Sequence, residues 1–115
     1  MSAGRLRERV RFERRLPADD SLGNTEGDWA AILSPFFAAE IRPLRGDEEV
    51  LAARLQGVAL VEIRIYSTDE TRQLQVSDRC HDLRNGTVYN IRSIENRDLR
   101  NEFLTITAQR GVAHG

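Results

Sequence analysis

Hydrophobic and polar positions alternate most clearly between Ala59 and Tyr66. In this segment Ala59, Val61, Ile63 and Ile65 alternate with Leu60, Glu62, Arg64 and Tyr66. Because successive side chains of a strand point to opposite faces, the pattern predicts a strand with one face in a core. Residues 36–41 form a second strand-like segment. The insert between the two is too long for a hairpin turn, so these strands need not pair directly and the insert should stand out from the sheet.

The insert, residues 43–57, has the composition of one short helix. Pro43 and Gly46 separate the strand from the helix, and Gly57 occupies the position of a C-terminal cap. A helix of about ten residues is marginal alone, so it must dock on its own sheet, on a neighbouring subunit or at a central opening. Two features predict the helix itself. Its first turn is acidic, with Asp47, Glu48 and Glu49, and it has an apolar stripe of Leu51, Leu55 and Val58.

Residues 5–12 also alternate, which predicts a first strand with a strongly basic face. Like charges along one face of a strand repel each other unless something acidic lies opposite. Carboxylates on the neighbouring strand are favoured, because the chain has 18 Asp and Glu residues to pair with. Contact with another subunit is an alternative, and contact with nucleic acid is disfavoured because the overall balance of charge is acidic. The basic side consists of Arg5, Arg7, Arg9 and Arg11, and the other side consists of Leu6, Glu8, Val10 and Phe12.

The remaining segments predict further short strands. Residues 17–28 are a turn-rich loop, and residues 29–41 are apolar with a break at Pro35. A short strand is expected at residues 74–76, and a final strand at residues 102–110. Between them, residues 79–83 and 87–94 flank an Asn-Gly pair that favours a two-residue type I′ hairpin turn. Imperfect alternation in the second hairpin strand predicts a bulge within residues 90–93.

Together these segments predict a mainly β protein: a small antiparallel barrel or sandwich of six to seven strands with one helical insert. The length of 115 residues fits a single domain, residues 1–115, with residues 111–115 as a loose tail. The composition is 40% hydrophobic and 30% charged, as expected for a folded soluble domain, and no apolar run approaches the length of a membrane helix. The first ten residues lack a secretory signal, so we expect synthesis in a cytoplasm.

Charge adds one unusual feature. All 17 basic residues are arginine, while the net charge is only −1. A GC-rich coding genome would produce this bias without selection on the protein. A role at an interface is the alternative, because arginine favours planar, bidentate contacts.

No set of catalytic groups converges in the sequence. Cys80 and His81 are neighbours in a predicted strand and should point to opposite faces. Asp47, Glu48 and Glu49 are separated by about 100° around the predicted helix, so they cannot meet at one substrate atom. There is no nucleotide-binding motif and no zinc or calcium spacing. We therefore expect a protein that is not an enzyme, with no cofactor and no metal site.

The order of several segments carries a family resemblance. These segments are R-L-R-E-R-V-R-F at 5–12, a polar loop ending at Trp29, A-E-I-R-P-L-R-G-D-E at 39–48, V-E-I-R-I-Y at 61–66, G-T-V-Y-N-I-R-S-I at 86–94 and L-T-I-T at 104–107. Over residues 4–110 this order resembles the phage head-tail joining proteins, which are the head-closure or stopper proteins of siphophages and gene transfer agents. Residues 95–101 replace the family's usual D-P-D-G-type turn before the last strand.

The resemblance implies a ring, six-fold, at the neck of a virion or phage-like particle assembled in the bacterial cytoplasm. The ring would lie between a portal-adaptor protein and a tail terminator or tail tube protein, and double-stranded DNA would pass through it without sequence-specific binding. The resemblance implies that the insert faces the channel or a partner. The candidate residues of the insert are Arg45, Gly46, Asp47, Glu48, Glu49 and Arg54. Candidates for contact with the adaptor or another subunit are Arg5, Arg7, Arg9 and Arg11.

A barrel of the OB type that binds nucleic acid is the competing interpretation. It would need exposed aromatic residues on a basic sheet face, and only 6% of the residues are aromatic. A small hydrolase is a third class, and it lacks convergent catalytic groups.

Overall fold

The computed structural model describes residues 6–16, 28–44, 48–96 and 102–110. Within these ranges the chain contains six strands, one α-helix and one 3₁₀ turn. The elements are β1 (Glu8–Arg15), β2 (Trp29–Pro43), α1 (Glu48–Leu55), β3 (Ala59–Tyr66), the 3₁₀ turn (Thr71–Gln73), β4 (Arg79–Asp82), β5 (Val88–Glu95) and β6 (Phe103–Arg110). No helix in these ranges is long and apolar enough to cross a membrane.

The six strands form a closed antiparallel barrel in the order β1-β2-β3-β6-β5-β4. The barrel closes where β1 pairs with β4, with Phe12 opposite Cys80. Closure leaves no strand with an unpaired edge on which another chain could add. The predicted class, a mainly β antiparallel barrel with a helical insert, is confirmed.

The barrel interior is filled by the inward residues of every strand. Val10 and Phe12 of β1 are fully buried, as the alternation in residues 5–12 predicts. Ile63 and Ile65 of β3 and Ile106 of β6 are also fully buried. The core therefore draws on strands that are distant in sequence, so closure of the barrel and burial of the core depend on each other.

Strand β2 is continuous through Pro35, contrary to the break expected there. The irregularity is a bulge instead: Val10 pairs with Phe37 while Phe12 pairs with Ile32, so β2 carries extra residues opposite β1. Leu33 within the bulge has a positive φ of 65°, which a non-glycine residue adopts rarely. The bulge leaves Phe36 exposed while the next ring, Phe37, packs against the core.

Strands β2 and β3 pair directly, from Ala39 opposite Ile65 to Pro43 opposite Val61. The sequence did not determine whether these two strands pair, because the insert between them is long. In the structure they form a hairpin, and α1 lies in the connection between them. The helix ends in a Schellman motif: the Gly57 N–H donates to the carbonyl of Arg54 at 3.0 Å, and the Val58 N–H donates to the carbonyl of Ala53 at 2.8 Å. Gly57 has a φ of 80°, so it has the predicted capping role.

The strand expected at residues 74–76 is absent from the described chain, and that prediction is wrong. The 3₁₀ turn comes first, held by a hydrogen bond from the Thr71 hydroxyl to the carbonyl of Tyr66 at 2.8 Å. The Gln75 N–H then donates to the Asp78 carboxylate, also at 2.8 Å. Leu74 is buried as an apolar residue should be, but side-chain hydrogen bonds satisfy the local backbone in place of a strand partner.

The predicted hairpin is confirmed as β4 and β5, but its turn is wider than a two-residue turn. The Asp82 N–H donates to the carbonyl of Thr87, and the Gly86 N–H donates back to the carbonyl of Asp82, both at 2.8 Å. Residues 83–86 therefore form the loop, with Gly86 at a φ of 81°. The predicted bulge in β5 is confirmed by the register shift between Ile91 and Ser93.

Several predictions fall largely on residues outside the described ranges. They concern most of the loop at 17–28, most of the loop at 95–101 and the tail at 111–115. The described ends of the first loop lie close together, because the Leu16 N–H donates to the carbonyl of Asp28 at 2.8 Å.

The variant Ile63→Ala should lower the free energy of unfolding by about 2–5 kcal/mol, because it leaves a cavity at the centre of a closed core. Urea unfolding followed by tryptophan fluorescence measures the loss. The control Val76→Ala alters an exposed side chain and should change stability by less than about 0.5 kcal/mol. Equal effects of the two variants would contradict the description of the core.

Candidate functional site

The arginines of the first strand differ in their surroundings. Arg7 lies just before β1, whereas Arg9 and Arg11 lie within it. Arg9 is exposed and Arg11 is half-buried. Arg5 lies outside the described residues. The predicted basic face therefore exists at the described positions, but its members do not have one common role.

Arg11 belongs to an ion-pair cluster with Glu13, Arg79 and His81. Pairing of β1 with β4 places Arg11 opposite His81 and Glu13 opposite Arg79. One oxygen of the Glu13 carboxylate accepts from Arg11 Nη2 at 2.8 Å, and the other accepts from Arg79 Nε at 2.6 Å. Arg11 Nη2 also lies 3.0 Å from His81 Nδ1, which accepts because a guanidinium can only donate. These contacts hold the Arg11 side chain against the barrel wall.

The pKa of Glu13 reflects this cluster. Burial raises the pKa, but the hydrogen bonds and positive charges of Arg79 and Arg11 outweigh burial, so the pKa lies below its ordinary value. Glu13 therefore stays ionised and holds the two guanidinium groups in place.

Arg9 belongs to a different surface, which we call the basic pocket. The Arg9 guanidinium carbon lies 4.8 Å from the centre of the Phe36 ring, a cation–π contact. Phe36 and Leu83 are 49% and 41% exposed and supply apolar surface. The pocket has a volume of about 290 Å³ and is lined by Arg7, Arg9, Phe36, Leu83 and Arg84.

Two contacts fix the geometry of the basic pocket. The Leu83 N–H donates to the carbonyl of Arg9 at 2.9 Å, which attaches the β4–β5 turn to β1. Arg84 Nη1 donates to the Glu8 carboxylate at 3.0 Å. The residues that line the pocket carry three positive charges and no negative charge. Such a surface favours an occupant that combines a carboxylate or phosphate with apolar groups.

The sequence analysis did not single out Phe36, Leu83 and Arg84 as site residues. The sequence does contain a clue to Phe36 and Leu83. Adjacent phenylalanines at 36 and 37 cannot both face the core of one strand, and Leu83 is an apolar residue beside a polar turn. That these residues meet Arg9 follows only from the pairing of β1 with β2 and β4.

The helix α1 presents a second surface. Val50, which the predicted stripe omitted, is 2% exposed and buries the helix against the barrel, where α1 contacts β3. The predicted stripe does not pack on the barrel of its own chain, because Leu51 and Leu55 are 54% and 90% exposed, so of the predicted docking alternatives the one on its own sheet is wrong for these two residues. Glu48 is exposed on the same side, since positions 48, 51 and 55 follow helical spacing. We call Glu48, Leu51 and Leu55 the outer face of α1.

The other insert candidates are only partly described. Arg45, Gly46 and Asp47 lie outside the described residues, as does the side chain of Glu49. Arg54 is exposed and lines an apolar pocket of about 230 Å³ at the end of the barrel, together with Leu44. The structure therefore brings Arg54 next to the barrel end, but it does not bring the described insert candidates into one site.

Three further arginines cover aromatic rings. Arg79 and Arg15 lie 4.3 and 4.9 Å from the centre of the Trp29 ring, and Arg64 lies 5.8 Å from that of Phe103. An OB-type surface needs aromatic faces open to bases. Here Arg79 and Arg15 of the same chain cover Trp29, which disfavours that interpretation.

Cys80 and His81 do not form a catalytic pair. Cys80 is fully buried in the core, and burial raises the pKa of its thiol far above the ordinary value. His81 lies on the opposite face beside Arg11. In the described ranges no group of three or more His, Cys, Asp or Glu side chains is arranged to hold a metal ion.

The variant Glu13→Gln should destabilise the fold by about 1–3 kcal/mol, because it removes the charge that Arg11 and Arg79 share. The folded-state pKa of Glu13 is below its ordinary value of 4.5. Its stabilising effect is therefore complete above that value and is lost as the pH falls through the folded-state pKa. Urea unfolding at a series of pH values should show a smaller acid-induced loss in the variant.

The matched control is Glu8→Gln, which alters the exposed pair with Arg84. It should change the free energy of unfolding by at most about 1 kcal/mol at neutral pH. An acid-induced loss in Glu13→Gln as large as in the unmodified protein would show that Glu13 does not carry the effect.

Comparisons with known proteins agree on this architecture. A chain described as the virion of a native gene transfer agent particle has a similar fold, with a TM-score of 0.63, 19% identity and coverage of 92% of this chain and 94% of that chain. A protein of Shigella flexneri 2a, solved in solution, has a TM-score of 0.68, 20% identity and coverage of 99% of this chain and 100% of that chain.

A search of curated protein sequences finds no significant match. The model of one family, described as phage head completion protein, matches residues 1–111. This match covers nearly the whole chain, and the family is structural and not enzymatic. The resemblance drawn from the sequence is thereby confirmed, and the chain belongs to the phage head completion protein family.

Proposed function

We propose that this protein forms a ring at the head-tail interface, where it closes the DNA-filled head, surrounds the DNA channel and docks the tail. The observation that carries the proposal is the family match over residues 1–111. The similarity of the fold to a chain from the virion of a native gene transfer agent particle supports the proposal. In this proposal residues 1–115 act as one domain, with 43–57 as the insert and 111–115 as a flexible tail.

The proposed partners follow from the position of the ring. A portal-adaptor protein lies on the head side, and a tail terminator or tail tube protein lies on the other. Six copies form the ring, at the neck of a particle assembled in the bacterial cytoplasm. Double-stranded DNA passes through without sequence-specific binding. The closed barrel suits this role, because it withstands contacts on several sides without offering an open strand edge.

The first part of the insert, Arg45, Gly46, Asp47 and Glu49, is proposed to face the channel. Its two carboxylates repel phosphate at short range, and this suits a conduit through which DNA must slide without sticking. Glu48 and Arg54 are then available for contacts beside the channel.

Arg5, Arg7 and Arg9 are proposed as contacts with the adaptor or with another subunit. Arg11 contributes differently, because Glu13 and His81 already engage its guanidinium. Its proposed part in the interface is to hold the neighbouring strand surface rigid.

Cryo-electron microscopy of particles from cells that express this chain tests the proposal. The expected result is a ring of copies around the channel at the head-tail junction. Particles that lack this protein should retain less DNA and carry fewer tails. Intact particles without the chain at this junction would overturn the proposal.

The paired variant Asp47→Lys with Glu49→Lys should slow DNA release from assembled particles, because it replaces repulsion of the phosphates with attraction. The delay should shrink as salt rises, since the attraction is screened over about 10 Å at 0.1 M salt. Fluorescent dye binding to released DNA gives the rate. The control Asp69→Lys changes a fully exposed residue outside the insert and should leave release unchanged. Unaltered release in the paired variant would contradict a channel-facing insert.

A further inference from the structure

We propose that the outer face of α1 in one copy docks into the basic pocket of the next copy. The proposal rests on the ring described above and identifies the two surfaces through which its copies would meet. The outer face comprises Glu48, Leu51 and Leu55. The basic pocket comprises Arg7, Arg9, Phe36, Leu83 and Arg84.

The helix has the properties of an element that needs a partner. It has eight residues, it packs on β3, and among its described side chains Val50 is the one that is buried. Helices of this length are unstable alone and take their stability from packing. Yet Leu55 is 90% exposed and Leu51 is 54% exposed. Two adjacent exposed leucines on such a helix indicate a surface that is buried in an assembly.

The basic pocket has complementary chemistry. Phe36 and Leu83 offer apolar surface to the leucines of the helix, and the arginines offer donors to the Glu48 carboxylate. Arg9 is already oriented by its stacking on Phe36, and Arg84 by its ion pair with Glu8. Pre-ordered side chains lose less conformational freedom when a partner binds, which favours association.

The two surfaces also have suitable positions. The helix contacts β3, whereas the pocket lies across β1, the β2 bulge and the β4–β5 turn. They are different surfaces on different parts of the barrel wall. Contact between unlike surfaces is head-to-tail, and head-to-tail contacts repeated by a rotation that closes produce a ring. Two identical surfaces in contact would instead stop at a dimer.

Cysteine cross-linking in particles tests the contact. The variant carries Leu55→Cys and Leu83→Cys, one on each surface, and purified particles are treated with a short bis-maleimide. The native Cys80 does not interfere, because it is fully buried. The expected result on a denaturing gel is a ladder of cross-linked copies. Each single-cysteine variant should remain monomeric, because the contact joins unlike surfaces.

The matched control pairs Leu55→Cys with Val76→Cys, another exposed position that lies outside the basic pocket. It should give no ladder. If the chain is present as a ring in particles but the Leu55/Leu83 pair gives no ladder, the docking proposal is overturned and the proposed function stands. If particles lack the chain, the proposed function fails as well.

A charge exchange provides a second test that needs no cross-linker. Glu48→Arg should lower the yield of DNA-filled particles about tenfold or more, because it places like charges together at the contact. Arg9→Glu combined with Glu48→Arg should restore most of this yield. Circular dichroism of each purified variant checks that it folds. The contact would be contradicted if folded Glu48→Arg left the particle yield unchanged, or if the double variant gave no higher yield than Glu48→Arg alone.

Discussion

Closure of the barrel depends on β1, which pairs with β2 on one side and with β4 on the other. Without the β1–β4 pairing, both strands would have open edges and Phe12 would lose the wall that encloses it. The same pairing brings Arg11 opposite His81 and Glu13 opposite Arg79, so it also builds the ion-pair cluster. One set of strand contacts thus supports both the apolar interior and the charged exterior.

The exclusive use of arginine has structural consequences here, whatever its genomic origin. A guanidinium group is planar, so it can stack on an aromatic ring while its N–H groups donate to a carboxylate. Arg79 does both, lying over Trp29 and donating to Glu13. A lysine ammonium could not make this pair of contacts with the same geometry. Arginines that stack and donate in this way give the outer wall an ordered surface.

The barrel and its insert have different kinds of stability. The barrel is closed by six strands and a shared core, whereas α1 rests on β3 through a small apolar contact. A weakly docked helix beside a rigid barrel can be stabilised by a partner without disturbing the fold. This division suits the docking proposed for the outer face of α1.

The sequence by itself determined most of the local structure. Alternation over Ala59–Tyr66 and residues 5–12 identified β3 and β1, although β1 begins only at Glu8, and Leu60 and Glu62 on the second face of β3 are also buried. Gly57 marked the end of the helix. These features depend on neighbouring residues, so they are visible in a linear pattern. The tertiary structure decided the β1–β4 pairing, the bulge at Leu33 and the exposure of Leu51 and Leu55. It also decided that Phe36, Leu83 and Arg9 meet in one pocket. Each of these depends on contacts between residues far apart in the chain, which no local period encodes.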